Sequence, residues 1–318
     1  MTQGHSDRSL DRSRDAGGSR KTVLIALAAN ALIMVVKLAG GLISGSTALL
    51  AEAAHSLADT TNQSFLLASI ELAGRRSDDK HPFGHGRQRY LWTFLAAVSM
   101  FVAGAVFAIG YGVLELTKGG KSESSYAIAW ATLVIAALAE GASWLRAVRQ
   151  TRAEARATGL PWREHVRSSR DPSVKMVLFE DSAALIGVAI AAAGIGLAEI
   201  TGNAMWDPLA SIVIGVLLIG VAVSMARDTG SLLIGASARP EERTAIERIL
   251  REHPGVVQVQ ELLTLVLAPR ALLVAARIDL EDSLDAAHIE RMSSELDRRI
   301  RDAVPDATEV FLDATPPR

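Results

Sequence analysis

The sequence contains no cysteine. That excludes disulfides, thiolate nucleophiles, iron–sulfur clusters and cysteine-held zinc, so any metal must be bound by imidazole, carboxylate or other oxygen ligands. Aromatic residues are scarce, at 5% of 318. Neither sign of charge is in excess. Lys and Arg number 33 and Asp and Glu 35, a net charge of −2 that removes the electrostatic case for a nucleic-acid partner. Regular alternation of apolar and charged residues is also missing over most of the chain. In its place are long aliphatic runs of Ala, Val, Leu, Ile and Gly, 49% of the residues being hydrophobic, with a positive mean hydropathy.

A hydrocarbon core takes roughly 20 apolar residues to cross. Six stretches meet that length: Thr22–Gly45, Ser46–Leu72, Tyr90–Leu116, Ser124–Leu145, Val174–Ala198 and Asp207–Ala226. The fold expected is therefore an α-helical membrane protein with six transmembrane helices. Residues 1–21 are rich in Ser, Gly, Arg and Asp and read as a disordered tail. Residues 22–228 form the transmembrane domain. After Arg227 the composition changes, and residues 236–318 read α-β-β-α-β, a small α+β layer of ferredoxin-like kind. Loop charge sets orientation. Five cations precede span one, five lie between spans two and three and eight lie from the end of span four to the first residues of span five, against Lys118 and Lys121 alone on the other side. The positive-inside rule then places both termini and the small domain in the cytoplasm, and a bacterial inner membrane is the expected location.

An ionisable side chain at the centre of a bilayer costs about 2.5–3.5 kcal/mol and calls for a reason. Span two carries Glu52, His55, Asp59 and Asn62. At about 100° per residue all four fall on one helix face, and the His-x-x-x-Asp pair sets an imidazole and a carboxylate one turn apart, suited to share a small cation. Span five carries Glu180 and Asp181, span four Glu140 and span one Lys37. The stripe suits an ion pathway, and a purely structural polar network is the alternative. Lys37 reads as a cation that snorkels or pairs, and Glu140, within two turns of the cytoplasmic end of span four, as a structural group. No His-Glu-x-x-His pair accompanies these residues, so a membrane metallohydrolase is not expected and the chain does not read as an enzyme.

At these residues the sequence resembles the cation diffusion facilitator family. Ser46-Thr-Ala-Leu-Leu-Ala-Glu-Ala-Ala-His55-Ser-Leu-Ala-Asp59-Thr-Thr-Asn62-Gln is similar to that family's second span, and His81-Pro-Phe-Gly-His85-Gly-Arg87 to the loop that follows it. Phe179-Glu-Asp181-Ser-Ala-Ala-Leu and Asp207-Pro-Leu-Ala-Ser resemble spans five and six. The wording is closest to the subgroup around zinc transporter 9. The resemblance implies a homodimer that exports divalent metal in exchange for protons. It implies a transport site of His55, Asp59 and Asp181, with Val177 where the family has a fourth ligand. Glu52, Asn62, Glu180 or water are the candidates to fill that place, and a scaffold without transport is the reading if none does. It further implies a loop metal site of Asp78, His81 and His85. The family's site in the small domain is largely missing, since Gln260, Arg277, Asp313 and Thr315 stand at its positions. Only His288 and Asp313 remain as weak candidates, and dimer contact is that domain's expected task. No cofactor is implied beyond the transported cation. Imidazole with carboxylates suits Zn²⁺, Fe²⁺, Co²⁺ or Ni²⁺, and Mn²⁺ less well; zinc is the expectation.

Overall fold

The computed structural model describes residues 27–314 apart from 74, 76, 120–124, 158, 160, 170 and 171. The tail expected at 1–21 lies outside the described residues, as do the start of span one, Lys121 and Thr315. The first helices are α1 (Leu27–Ser44), α2 (Thr47–Ala73), α3 (Gln88–Thr117) and α4 (Tyr126–Ala157). They are followed by the short α5 (Trp162–Ser168), then α6 (Pro172–Thr201) and α7 (Trp206–Ile234). Five helices among the described residues are long and apolar enough to cross a membrane, namely α1, α3, α4, a 27-residue stretch of α6, and α7. The 27-residue α2 is as long. Its stripe of Glu52, His55, Asp59 and Asn62 lowers its hydropathy, which sets it apart from those five. The helix α4 runs well past the apolar stretch ending at Leu145, because Arg146–Ala157 is mostly Arg, Ala, Glu and Gln, all good helix formers in water, with only Val148 and Thr151 weaker.

The chain divides into two compact units. The first holds the described residues to Glu71 together with Leu91–Thr229. Its interior is small and aliphatic: Ala48, Ala51, Ala105, Ala108, Ala129, Ala136, Ala191 and Ala210 are buried with Leu49, Ile195, Ile214 and Leu218. Its outer surface carries the larger side chains, such as Leu42, Leu138, Ile186 and Val216. Small residues inside and bulky aliphatics outside is the distribution expected of helices packed in lipid, where close backbone approach replaces hydrophobic burial as the source of packing energy. Helices α3 and α7 approach through glycine. A Cβ at Gly215 would lie 3.1 Å from the Ala105 carbonyl oxygen, and one at Gly112 would lie 2.9 Å from that of Pro208. Within α3, Met100–Val106 is wound as a π-helix. Beside this stretch Ser211 Oγ of α7 donates to the Ala108 carbonyl at 2.8 Å.

The second unit holds Leu72–Tyr90 and the chain from Gly230. Its elements are α8 (Pro240–Arg251), β1 (Val256–Ala268), β2 (Ala271–Leu280), α9 (Ala286–Ala303) and β3 (Ala307–Ala314), the order α-β-β-α-β. Pro240 opens α8, where the Arg239 N–H donates to Glu242 Oε2 at 2.9 Å, and Asp285 caps α9 by accepting from the His288 N–H at 2.8 Å. The sheet order is β1-β2-β3, with an antiparallel β1–β2 hairpin and β3 parallel to β2 after the α9 crossover. Along β2 the side chains of Leu272, Val274, Ala276 and Ile278 alternate into a core with Ile246, Leu250, Leu296 and Ile300. Tyr90 is buried in that same core, and Gly86 lies against Leu267 and Ala268 at the end of β1. The segment that follows α2 is thus packed as part of this unit.

Candidate metal centre

Helix α2 begins at a tight corner. Gly45 takes a φ of +73°, a conformation that favours glycine, and turns the chain from α1 into α2. Ser46 Oγ accepts from the Leu49 N–H at 3.2 Å as a local cap. Asp207 of α7 completes it, taking hydrogen bonds from Ser46 Oγ at 2.7 Å and from the Thr47 and Ala48 N–H groups. A carboxylate on one helix thereby closes the N-terminus of another, where the partial positive charge of the helix favours an anion.

From that fixed end, Glu52, His55, Asp59 and Asn62 project from one face and are all buried. His55 Nε2 stands 3.6 Å from Asp59 Oδ2. Asn62 Nδ2 donates to Glu180 Oε1 of α6, and Asp59 lies within electrostatic reach of both Glu180 and Asp181. Helix α6 is an unbroken α-helix through this region, so the adjacent carboxylates diverge by about 100°. Glu180 is buried towards Asn62 of α2, while Asp181 is half-buried and accepts from Ser143 Oγ of α4 at 2.9 Å. Val177, one turn before Asp181, offers no donor atom. Both ring nitrogens of His55, Asp59 Oδ1, Asn62 Oδ1 and Glu52 Oε1 are buried without a hydrogen-bond partner. Buried polar atoms are almost always paired, and these orphans gather on one face of one helix; those of His55, Asp59 and Asn62 are of the kind that ligates a cation, while Glu52 is held through its other oxygen.

A second cluster adjoins the first. Lys37 Nζ of α1 donates to Glu52 Oε2 at 2.8 Å and to Glu140 Oε1 of α4 at 3.1 Å, with all three side chains buried. Three helices are pinned by one ammonium. Room for it depends on Gly187 of α6, where an added Cβ would collide with Glu52 Oε1. We therefore expect Gly187→Ala to destabilise the protein by about 1–3 kcal/mol, the cost of overpacking a filled interior. Gly141→Ala meets nothing within 4 Å and should be neutral. Thermal unfolding of the two variants in detergent checks the contrast, and equal melting temperatures would refute it.

The Asp78, His81 and His85 side chains come together. One ligand atom from each lies within 4.8 Å of the others. Asp78 Oδ1 is 3.1 Å from His81 Nδ1, and Asp78 Oδ2 is 3.1 Å from His85 Nε2. A short backbone bridge between Asp78 and His81 and a left-handed Gly84 fold the loop back on itself. Desolvation opposes ionisation of Asp78, but the His81 N–H, the two imidazoles and the Lys80 N–H outweigh it and bring its carboxyl down to about 2. It is therefore an anion at neutral pH. Gln88 Nε2 faces His85 Nδ1 at 3.1 Å. Rotating that amide would present its oxygen instead, holding the ring proton on Nδ1 and leaving Nε2 free for a metal.

The weak candidates of the small domain are not brought together. His288 Nδ1 rests 2.7 Å from Asp285 Oδ1 at the start of α9. Asp313 accepts from Arg277 Nε at 3.0 Å, and Arg277 also reaches Glu261 at 3.3 Å. Glu261, Arg277 and Asp313 are register neighbours on β1, β2 and β3. A guanidinium thus stands between the carboxylates where a cation would otherwise be drawn. Sequence reasoning missed the pairing of Lys37 with both Glu52 and Glu140, the tie from Asp207 to α2, and Ser143 and Gln88 as partners of candidate ligands. The one available signal was Lys37, a lone cation in an apolar span.

Comparison with known proteins agrees with this architecture. Residues 23–234 match the family model described as the cation efflux transmembrane domain, and residues 238–316 match that of the cation efflux protein, cytoplasmic domain. A human protein named as the mitochondrial proton-coupled zinc antiporter SLC30A9 is 35% identical over 79% of this chain and 44% of its own length. Metal tolerance protein C4 of Arabidopsis thaliana is 32% identical over 82% of this chain and 57% of its own length. The manganese efflux system protein MneP of Bacillus subtilis is 23% identical over 94% of this chain and 96% of its own length. The chain spans about half the length of the first two relatives.

Proposed function

Since the chain belongs to the cation efflux family of membrane transporters, we propose that it exports a divalent metal, zinc foremost, from the cytoplasm in exchange for protons, as a homodimer working by alternating access. The observation that carries this reading is the buried face of α2, where His55 and Asp59 stand with unpartnered donor atoms opposite the carboxylates of α6. Metal binding requires a neutral imidazole and ionised carboxylates, so loading releases protons and protonation expels the metal. Histidine titrates near physiological pH and suits that exchange. His55, Asp59 and Asp181 are the ligands proposed, with Glu180, Asn62 or water making up the set beside Val177. Imidazole with a few carboxylates favours zinc over manganese, and a relative named as a zinc antiporter supports the same choice.

The loop cluster of Asp78, His81 and His85 serves as a second, cytoplasmic metal site that loads or stabilises the transporter. Dimer contact falls to the small domain. The glycine-mediated approach of α3 and α7 supports these two helices as the static pair against which α1, α2, α4 and α6 rock. The excess of cations on one side of the spans supports cytoplasmic termini, and a bacterial cell membrane is the proposed location.

The test uses purified protein in liposomes with a trapped pH dye, to which Zn²⁺, Mn²⁺, Fe²⁺, Co²⁺ and Ni²⁺ are added one at a time. Zinc should drive the largest internal alkalinisation, as metal enters and protons leave. No flux with any metal from folded, dimeric protein would instead make the chain a scaffold that has lost transport.

A further inference from the structure

Glu52 sits three residues before His55 on the same helix face, and it is a carboxylate in a position to ligate. One of its oxygens is nevertheless taken by Lys37, which also takes Glu140. We propose that Lys37 determines metal specificity by withholding Glu52 from the transport site, so that the cation meets an imidazole with few carboxylates rather than a carboxylate-rich cage. This rests on the transport reading given above.

Four observations carry the assignment. Lys37 is wholly buried on α1, so it does not snorkel to an interface. Its ammonium makes two short ion pairs to two other helices, which fixes its position. His55 and Asp59 both lie within electrostatic reach of Lys37, Glu52 and Glu140, so the ion-paired cluster and the metal cluster are neighbours rather than separate sites. Finally, Glu52 Oε1 has no hydrogen-bond partner and is pressed towards the glycine face of α6. It is a free donor atom on a side chain held by its other oxygen. Hard, oxygen-rich sites suit Mn²⁺, whereas imidazole-containing sites suit Zn²⁺. Releasing Glu52 adds an oxygen ligand one turn from His55 and moves the site from the second kind towards the first.

The experiment compares Mn²⁺ with Zn²⁺ flux in liposomes for the wild type, Lys37→Met, Lys37→Arg, Glu52→Gln and Lys37→Met with Glu52→Gln. In Lys37→Met the manganese-to-zinc ratio should rise at least tenfold. Lys37→Arg keeps the cation and should hold the ratio within threefold of wild type. The double variant, with the released carboxylate gone, should return to that range. An active wild type whose ratio is unmoved in folded Lys37→Met overturns this inference alone. A wild type that moves no metal overturns the transport reading and this inference with it. If Lys37→Met does not fold, Glu52→Gln decides: the inference requires an unchanged ratio, because Glu52 is not a ligand while Lys37 holds it. A shift beyond threefold would place Glu52 among the ligands and refute the proposal.

Discussion

Asp59→Ala should abolish zinc-driven proton movement, leaving flux roughly 100-fold or more below wild type. Loss of partners in the outer shell of a metal site already costs about 10–100-fold, and Asp59 is proposed as a direct ligand. Its Oδ2 lies 3.6 Å from the His55 ring and its Oδ1 has no hydrogen-bond partner. The carboxylate therefore contributes little that holds the helices together. Its removal takes one negative charge from a crowd that includes Glu180 and Asp181, so the variant should fold. Asp313→Ala is the control. That carboxylate is engaged by Arg277 on the exposed sheet of the small domain, and flux should remain within about twofold of wild type, as expected for a surface substitution. Full flux in folded Asp59→Ala would remove Asp59 from the site.

The second large effect concerns stability. Asp207→Ala should lower the unfolding free energy by about 2–4 kcal/mol, because a helix cap and charged hydrogen bonds are lost together. The Thr47 and Ala48 N–H groups and the Ser46 hydroxyl would lose their carboxylate acceptor in a partly buried place. Asp207→Asn keeps an amide oxygen as acceptor and should recover about half of the loss. Thermal unfolding in detergent followed by tryptophan fluorescence reads both variants. An alanine variant as stable as wild type would show that the first turn of α2 is held by Ser46 alone.

The spans and the polar stripe were legible because helical periodicity is a property of one segment at a time. Counting 100° per residue was enough to place Glu52, His55, Asp59 and Asn62 on a common face and to separate Glu180 from Asp181. Partners across helices are not periodic, and these were lost. Nothing in the residues around Lys37 states that Glu52 and Glu140 meet it, and nothing near Ser46 names Asp207. The order of the small domain was legible from the change of composition after Arg227. That Leu72–Tyr90 packs into the same unit was not, because Tyr90 reads as the first residue of an apolar span and is instead buried in the core with Leu272 and Leu296. The loop motif itself was readable as three ligand-type residues within eight positions, and the fold does bring them to one point.

The low hydropathy of α2 bears on how the protein is made. A segment with this many polar groups is a poor candidate to leave the translocon by itself, whereas α1 carries no charge apart from Lys37. Only Gly45 and Ser46 separate the two helices. Lys37 precedes this corner by about as many residues as Glu52 follows it, so at 1.5 Å per residue both lie roughly 10 Å from the turn and at the same depth. The two charges can pair as soon as the hairpin closes. The α1–α2 hairpin is thus neutralised from within, and Glu140, on a helix later in the chain, completes the set.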